Sequence, residues 1–400
     1  MASIKLLAPH GQTSVRRMTA SLAGAIALCG ALPAAQAEIN VGVILSTTGP
    51  AASLGIPEEQ TVRMWPSEMA GEKVNFIILN DGSDTTGAVK NATRLITENN
   101  VDVIIGPSVT PTSMAAVEVA GNAKVPMVSL AGGGAIVLPQ VGVRTWAFKL
   151  SPTESISINR VLDHFLAQKG KTMATIGFAT SYGAGFLKSF ELIAKQRGVT
   201  VGATESYNAT DQSVTAQVLK AMASNPDAIF IFASGTPGAL PQIELAKRGY
   251  KGLVYQTQGV ANNDYLRVGG KSLEGSFMTV APALVAEQLP ASNPIRKPAL
   301  DYAQRYEAKY GPGTLSLFGA TAWDAMLIVD GAAREAKKTA KPGTAEFRSA
   351  LRDALENLRE FVGAEGVYNM SPADHNGVDA RSQVLVKIVD GKWQLQPDMK

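Results

Sequence analysis

The chain has 400 residues, 46% of them hydrophobic, with 37 Lys and Arg against 34 Asp and Glu for a formal net charge of +3. That length supplies two domains with cores of their own. One cysteine and three histidines exclude a disulfide framework and speak against a zinc centre. In chain order, Lys5, Arg16 and Arg17 precede an apolar stretch over 18–32 and then Ala35-Gln36-Ala37. This is the pattern of a secretory signal peptide cut before Glu38, so residues 1–37 are expected to leave. The apolar stretch is too short and glycine-broken for a membrane span. Leu28 ahead of Cys29 argues against lipoprotein processing. Removing the three basic residues leaves 34 against 34, so the basic character belongs to the signal. Nothing then marks a nucleic-acid or anionic-membrane partner. Cys29 leaves with the signal, and the remaining histidines are His164 and His375.

The part from 38 onward alternates strands and helices. Residues 39–45 are predicted as a strand, followed by the small-residue loop 46–55 and a helix that Pro66 bends or ends. A strand over 73–79 and a helix over 86–98 follow, with Val89, Ala92, Leu95 and Ile96 on one face. Then comes VDVIIGPSVTPTSMAAVEVAGNAKVPMVSLAGGG, residues 101–134. Its β-branched run 101–105 suits a buried parallel strand. Gly106-Pro107 ends it, and Ser108, Val109 and Thr110 form a hydroxyl-bearing turn into a helix from Pro111. A second strand over 125–130 opens into Ala131-Gly132-Gly133-Gly134. Both turns fall at carboxyl ends of parallel strands, where open α/β sheets bind ligands. Free N–H groups at a helix start, a hydroxyl and close-approach glycines suit a carboxylate. The same residues also suit two ordinary βα turns.

After a crossover near 146–150 the rhythm repeats. Helices are predicted over 155–169, 184–197, 213–224 and 239–248, alternating with strands over 172–178, 200–207, 227–232 and 253–256. A strand over 275–280 and helices over 298–310 and 315–333 are read as a return to the first domain. A helix over 344–357 precedes a hairpin of strands 384–389 and 392–395 around Asp390-Gly391. The fold class is α/β, two doubly wound parallel-sheet lobes joined by a multi-strand hinge. The first lobe is expected over 38–148 and 275–358, the second over 149–274 and 359–400, with a ligand between them.

Several motifs converge: NVGVILSTTGPAASLG, GPSVTPTS, PMVSLAGGG, TSYGAG, YQTQGVAN and the tail GVYNMSPADHNG with VLVKIVDGKW. Together they resemble the substrate-binding proteins of branched-chain amino-acid-type ABC importers, the type I periplasmic binding fold, over essentially the whole chain after 37. The resemblance implies a periplasmic monomer that captures a small carboxylate-bearing ligand, an amino acid or an aromatic or other organic acid. It delivers that ligand to an inner-membrane ABC permease, with no cofactor and no chemistry. A ligand sensor presenting the solute to a membrane receptor is the alternative.

By resemblance the carboxylate site falls on Thr110 and Ala131 to Gly133. Gly133 stands where amino-acid binders carry a hydroxyl residue, so only its backbone N–H remains. Tyr182 matches the aromatic of the second lobe. Gln258 falls where amino-acid binders place an acid for the ligand's ammonium, and can offer only a neutral carbonyl. The aromatic expected near Thr236 and Pro237 is absent. The candidate ligand-binding set is Ser53, Ser108, Thr110, Ser129, Ala131, Gly132, Gly133, Tyr182, Thr236 and Gln258. A buried ammonium without a carboxylate partner costs several kcal/mol, so these residues lean towards an acid without one, and Ala52, Ser53, Gly132 and Gly133 leave room for a ring. Ser108 also suits a helix cap. Phe318 and Trp323, at helical spacing, are expected in the core, and Trp146 suits hinge packing or the cleft. Asp374-His375 favours a loop hydrogen bond over a metal. No G-x-S-x-G elbow or P-loop appears, which sets the enzyme reading aside.

Overall fold

A computed structural model describes residues 38–397. The predicted signal peptide lies outside the described residues. Among those described, no helix is long and apolar enough to cross a membrane.

The first sheet is built from β1 (Ile39–Leu45), β2 (Glu68–Met69), β3 (Glu72–Asn80), β4 (Val103–Ile105), β5 (Met127–Ser129) and β6 (Ala147–Lys149), in the order β2-β3-β1-β4-β5-β6. All its pairings are parallel except β2 with β3. The apolar runs 41–45 and 103–105 are buried on both faces, as a doubly covered sheet requires. Helices α1 (Ala52–Val62), α2 (Thr85–Thr97) and α3 (Thr110–Asn122) connect these strands. Ala92 and Leu95 of α2 and Ala116, Val117 and Ala120 of α3 cover one face. Pro66 lies beyond α1, which ends at Val62, and the proline inside the helix is Pro57.

The second sheet begins with β7 (Thr172–Phe178), β8 (Thr200–Tyr207), β9 (Ala228–Phe232), β10 (Leu253–Gln256) and β11 (Phe277–Val280). Helices α4 (Glu154–Ala167), α5 (Ser181–Gln196), α6 (Thr215–Ala223), α7 (Leu240–Lys247) and α8 (Asn263–Gly269) alternate with them. Asn262 caps α8 by accepting the Tyr265 N–H, a helix not anticipated from the sequence. The chain then passes through α9 (Arg296–Tyr310), α10 (Leu317–Ala336) and α11 (Ala345–Glu356). These return to the first sheet: Ala325, Ile328 and Val329 of α10 and Phe347 and Leu351 of α11 share a core with Val41, Val43 and Ile105. A small hairpin, β12 (Phe361–Val362) with β13 (Val367–Tyr368), precedes β14 (Val384–Val389) and β15 (Lys392–Leu395). The second sheet runs β15-β14-β11-β10-β9-β7-β8, with β14 and β15 antiparallel.

The strand over 275–280 departs from expectation. Predicted at the return to the first domain, β11 instead pairs with β10 and β14 of the second sheet. Strand pairing over a separation of more than a hundred residues leaves no mark in the local pattern. The return begins only after Val280, where Tyr302 of α9 meets Thr61 of α1 through their hydroxyls at 2.8 Å.

Three passages of chain therefore link the sheets. The first and last run side by side: Lys149 N–H donates to the His375 carbonyl at 3.1 Å, and Asn376 Nδ2 donates to the Lys149 and Ser151 carbonyls, each at 3.0 Å. His375 is fully buried, stacked on Phe148 at 4.1 Å and bonded to the Ala147 carbonyl and to Glu356.

Candidate ligand-binding site

The loops that follow β1, β4 and β5 in the first sheet face those that follow β7, β9 and β10 in the second. Carboxyl ends of parallel strands are where N–H groups and loop side chains converge. A cavity of about 140 Å³ lies there. A cavity of about 150 Å³ suffices for benzene in an engineered protein core, so this one suits a single ring or a branched side chain.

From the first lobe the walls are Pro50, Ala51 and Leu54, Ser83, Ser108 to Pro111, Leu130 to Gly132, and Ser151, with Phe318 at the start of α10. From the second they are Phe178, Thr180, Tyr182, Ala209, Ser234, Gln258 and Gly259. None of these described residues carries a formal charge.

Local bonding explains each position. Gly106 has φ +97°, and a Cβ there would lie 2.0 Å from the Ile44 carbonyl oxygen. Only glycine lets β4 turn so close to β1. The next residues are thereby delivered to the cavity. Val109, not Ser108, is the N-cap of α3. Ser108 Oγ accepts the Ser46 N–H at 2.9 Å and donates to Glu58 Oε2. Burial pushes the Glu58 carboxyl well above its usual 4.5. Ser108 thus lines the cavity with a hydroxyl already bonded on both sides, and the capping alternative does not apply.

Thr110 is the first residue of α3, and its Oγ1 accepts the Gly133 N–H at 3.1 Å. The hydroxyl proton and the positive end of the α3 dipole remain for the cavity, while Pro111 has no N–H and the Ser113 N–H is bonded to the Val109 carbonyl at 2.9 Å. Tyr182 lies in the first turn of α5, whose start forms the opposite wall. Its hydroxyl donates to Thr257 Oγ1 at 2.9 Å, and Thr257 passes the chain on to the Ala233 carbonyl at 2.9 Å. Its ring reaches across: a Cβ on Gly132 would lie 3.5 Å from Tyr182 Cε2. Gly235 makes a second approach, with its Cβ position 3.0 Å from the Pro50 carbonyl oxygen.

The structure brings Ser108, Thr110, Ala131, Gly132, Tyr182 and Gln258 to one cavity. It does not bring the other four to the walls. Ser129 is fully buried, its Oγ bonded to Ser113 Oγ at 2.8 Å and accepting the Ala131 N–H at 3.1 Å. Gly133 is turned away, with its N–H held by Thr110. Thr236 opens a short turn over Thr236–Ala239 behind the wall. Ser53 is buried beside Gly235, and its hydroxyl has no bonding partner.

Two expected donors also change. The N–H groups of Ala131 and Gly133 are occupied within the protein, whereas Gly132 between them lines the cavity. The Gln258 carbonyl, expected to meet the ligand, accepts Gln383 Nε2 instead. Phe318 lines the cavity rather than standing only in the core, whereas Trp323 packs in the core with Tyr302 at 5.9 Å. Trp146 lies under the Arg352 guanidinium at 5.8 Å and is not among the lining residues. Phe178, Thr180, Ser234 and Ser151 were missed. Phe178 ends β7, and Thr180, Ser151 and Ser234 stand two residues past the ends of β7, β6 and β9, so an aromatic at a strand end or a hydroxyl just past one is the signal that finds them.

No group of three or more His, Cys, Asp or Glu side chains suited to a metal occurs among the described residues.

Comparison with known proteins agrees with this geometry. The family model described as periplasmic binding protein matches residues 38–392. A Leu/Ile/Val-binding protein homolog 3 from Brucella melitensis is 24% identical over 92% of this chain and 95% of its own. An extracellular ligand-binding receptor from Rhodopseudomonas palustris HaA2 is 40% identical, with a TM-score of 0.87 over 90% of this chain and 100% of that one. A solute-binding protein of an ABC transporter from Rhodopseudomonas palustris BisB5, solved with 3,4-dihydroxybenzoic acid, shares the fold at 20% identity, with a TM-score of 0.74 over 90% and 96%. Two parallel-sheet lobes, a cavity at their facing strand ends and a family match over 38–392 lead to one conclusion: the chain belongs to the periplasmic binding protein family, with the type I fold.

Proposed function

We propose that this protein captures a small, ammonium-free organic acid, of about one aromatic ring in size, and hands it to an ABC permease in the inner membrane. It works in the periplasm after its signal peptide has been removed. The observation that carries the reading is the uncharged cavity wall. An ammonium buried there meets no carboxylate among the lining residues, and burial without a counter-charge costs several kcal/mol. A carboxylate is better served. The Thr110 hydroxyl, the Gly132 N–H and the starts of α3 and α5 offer donors and partial positive charge without a cation.

Binding closes two lobes, 38–148 with 281–358 against 149–280 with 359–397, around the ligand. The ligand's ring lies among Leu54, Phe178, Tyr182 and Phe318. Thr110, Ala131 and Gly132 surround its carboxylate.

Calorimetry with leucine, isoleucine, benzoate and 4-hydroxybenzoate tests the reading. Binding of either benzoate with no heat from the amino acids is expected. Tight binding of leucine would overturn it.

A further inference from the structure

Gln258 is the polar side chain of the cavity wall with the least obvious orientation, because an amide offers a carbonyl at one end and two N–H donors at the other. Its orientation is set from outside the cavity. Gln383, fully buried on the last passage between the sheets, donates through Nε2 to Gln258 Oε1. Gln383 is held in turn: Ser157 Oγ donates to its Oε1 at 2.8 Å, and Arg160 Nη2 donates to its backbone carbonyl at 2.9 Å. Ser157 and Arg160 are three residues apart on α4 and share a face. With its Oε1 taken by the Ser157 hydroxyl, the Gln383 amide turns its Nε2 to Gln258.

We infer that Gln383 is a positioning residue that turns the Gln258 amide so that its two N–H donors face the cavity, and that the ligand presents an oxygen acceptor there. The inference rests on the reading that the cavity takes an ammonium-free acid and narrows it to acids with a second oxygen within reach of Gln258. A relay of this kind has a direction. Each amide passes on the polarity it receives, so a change at Gln383 inverts what the ligand meets at Gln258 without touching the cavity wall.

The test compares leucine with 4-methyl-2-oxopentanoate, which has the same carbon skeleton but a carbonyl oxygen in place of the ammonium. Calorimetry on the chain from residue 38 onward gives the ratio of the two affinities. The unmodified protein is expected to prefer the oxo acid by about tenfold or more, the worth of one matched against one opposed hydrogen bond. In Gln383→Glu the new side chain only accepts, so the Gln258 amide turns its N–H groups to it and its carbonyl to the cavity. The ratio should move towards leucine by roughly the same factor of ten. Gln383→Leu releases the amide, and the ratio should fall towards unity. Loss of packing alone weakens both ligands alike and leaves the ratio where it was. If the unmodified protein prefers the oxo acid and both variants keep its ratio, the role of Gln383 is overturned while the acid reading stands. If the unmodified protein prefers leucine, the acid reading falls and takes this inference with it.

Discussion

Thr110 and Gly133 are fitted to one another: the Gly133 N–H donates to Thr110 Oγ1 at 3.1 Å, and a Cβ on Gly133 would lie 2.4 Å from Thr110 Cγ2. The missing hydroxyl at position 133 is therefore no vacancy, since the threonine side chain fills that space. Gly133→Ser should not restore an amino-acid-type clamp. Overpacking of this kind costs about 1–3 kcal/mol, so a lowered melting temperature and weaker benzoate binding are expected. Gly133→Ser with Thr110→Ser, which removes Cγ2, should recover part of both. Tighter leucine binding by Gly133→Ser alone would contradict this account.

Thr110→Val removes the hydroxyl from the cavity and leaves the Gly133 N–H without its acceptor. A hydrogen bond to a charged group contributes roughly 1.5–3 kcal/mol, so affinity for a carboxylate ligand should drop by roughly ten- to a hundredfold. Thr110→Ser keeps the hydroxyl and should bind within a few-fold of the unmodified protein. Equal binding by the valine variant would mean that the carboxylate lies elsewhere.

Gln258→Glu introduces a carboxylate into an uncharged wall. Repulsion and desolvation both oppose an acidic ligand, so benzoate affinity should fall by about tenfold or more. The circular dichroism spectrum should be unchanged. Unaltered benzoate binding would remove Gln258 from the ligand's surroundings.

Tyr182 supplies a ring and a hydroxyl, and the two are separable. Its hydroxyl lies 2.9 Å from Thr257 Oγ1 and its ring 4.9 Å from that of Phe186. Tyr182→Phe keeps the wall and loses one neutral hydrogen bond of about 1 kcal/mol, for a few-fold effect. Tyr182→Ala removes the buried ring and should cost about 3–5 kcal/mol of stability together with most of the binding. Calorimetry and thermal melts on the pair distinguish the contributions.

Stability should also depend on pH through three carboxyls. Glu58, Asp324 and Glu365 are buried together near the junction of α1, α10 and residues 363–368. Burial pushes the Asp324 carboxyl up to about 6 from 3.8 and the other two well above 4.5. A carboxyl whose folded value is raised binds its proton more tightly in the folded state. Its contribution is therefore full below the unfolded value and is lost as pH rises through the folded one. A tenfold difference in proton affinity between the two states corresponds to ~1.4 kcal/mol. Glu365→Gln keeps an acceptor for the Thr321 hydroxyl, at 2.6 Å in the unmodified chain, and removes one ionisation. It should raise the melting temperature at pH 8 and change it little at pH 4. A larger gain at pH 4 would show that the carboxyl is not held protonated by burial.

Much of the scaffold was legible in the residues themselves. The strands over Thr172–Phe178, Thr200–Tyr207, Leu253–Gln256, Val384–Val389 and Lys392–Leu395 start and stop where the sequence pattern places them. Apolar runs bounded by turn residues have few alternatives in a doubly covered sheet. The hydroxyl turn at 108–110 and the small residues at 131–132 likewise mark two strand ends that line the cavity. Local pattern could not say whose partner each group would be. Ser129 and Gly133 look as available as Thr110, yet their bonds turn inward to Ser113, Ala131 and Thr110. Strand β11 looks like its neighbours, but only pairing with β14, more than a hundred residues later, assigns its sheet. Gln258 carries the same amide wherever it stands, and Gln383, 125 positions on, decides which end of it is free. Periodicity and turn chemistry are short-range and survive in the linear chain. Hydrogen-bond partnership is a contest among all groups within about 3 Å, and folding alone brings those groups together.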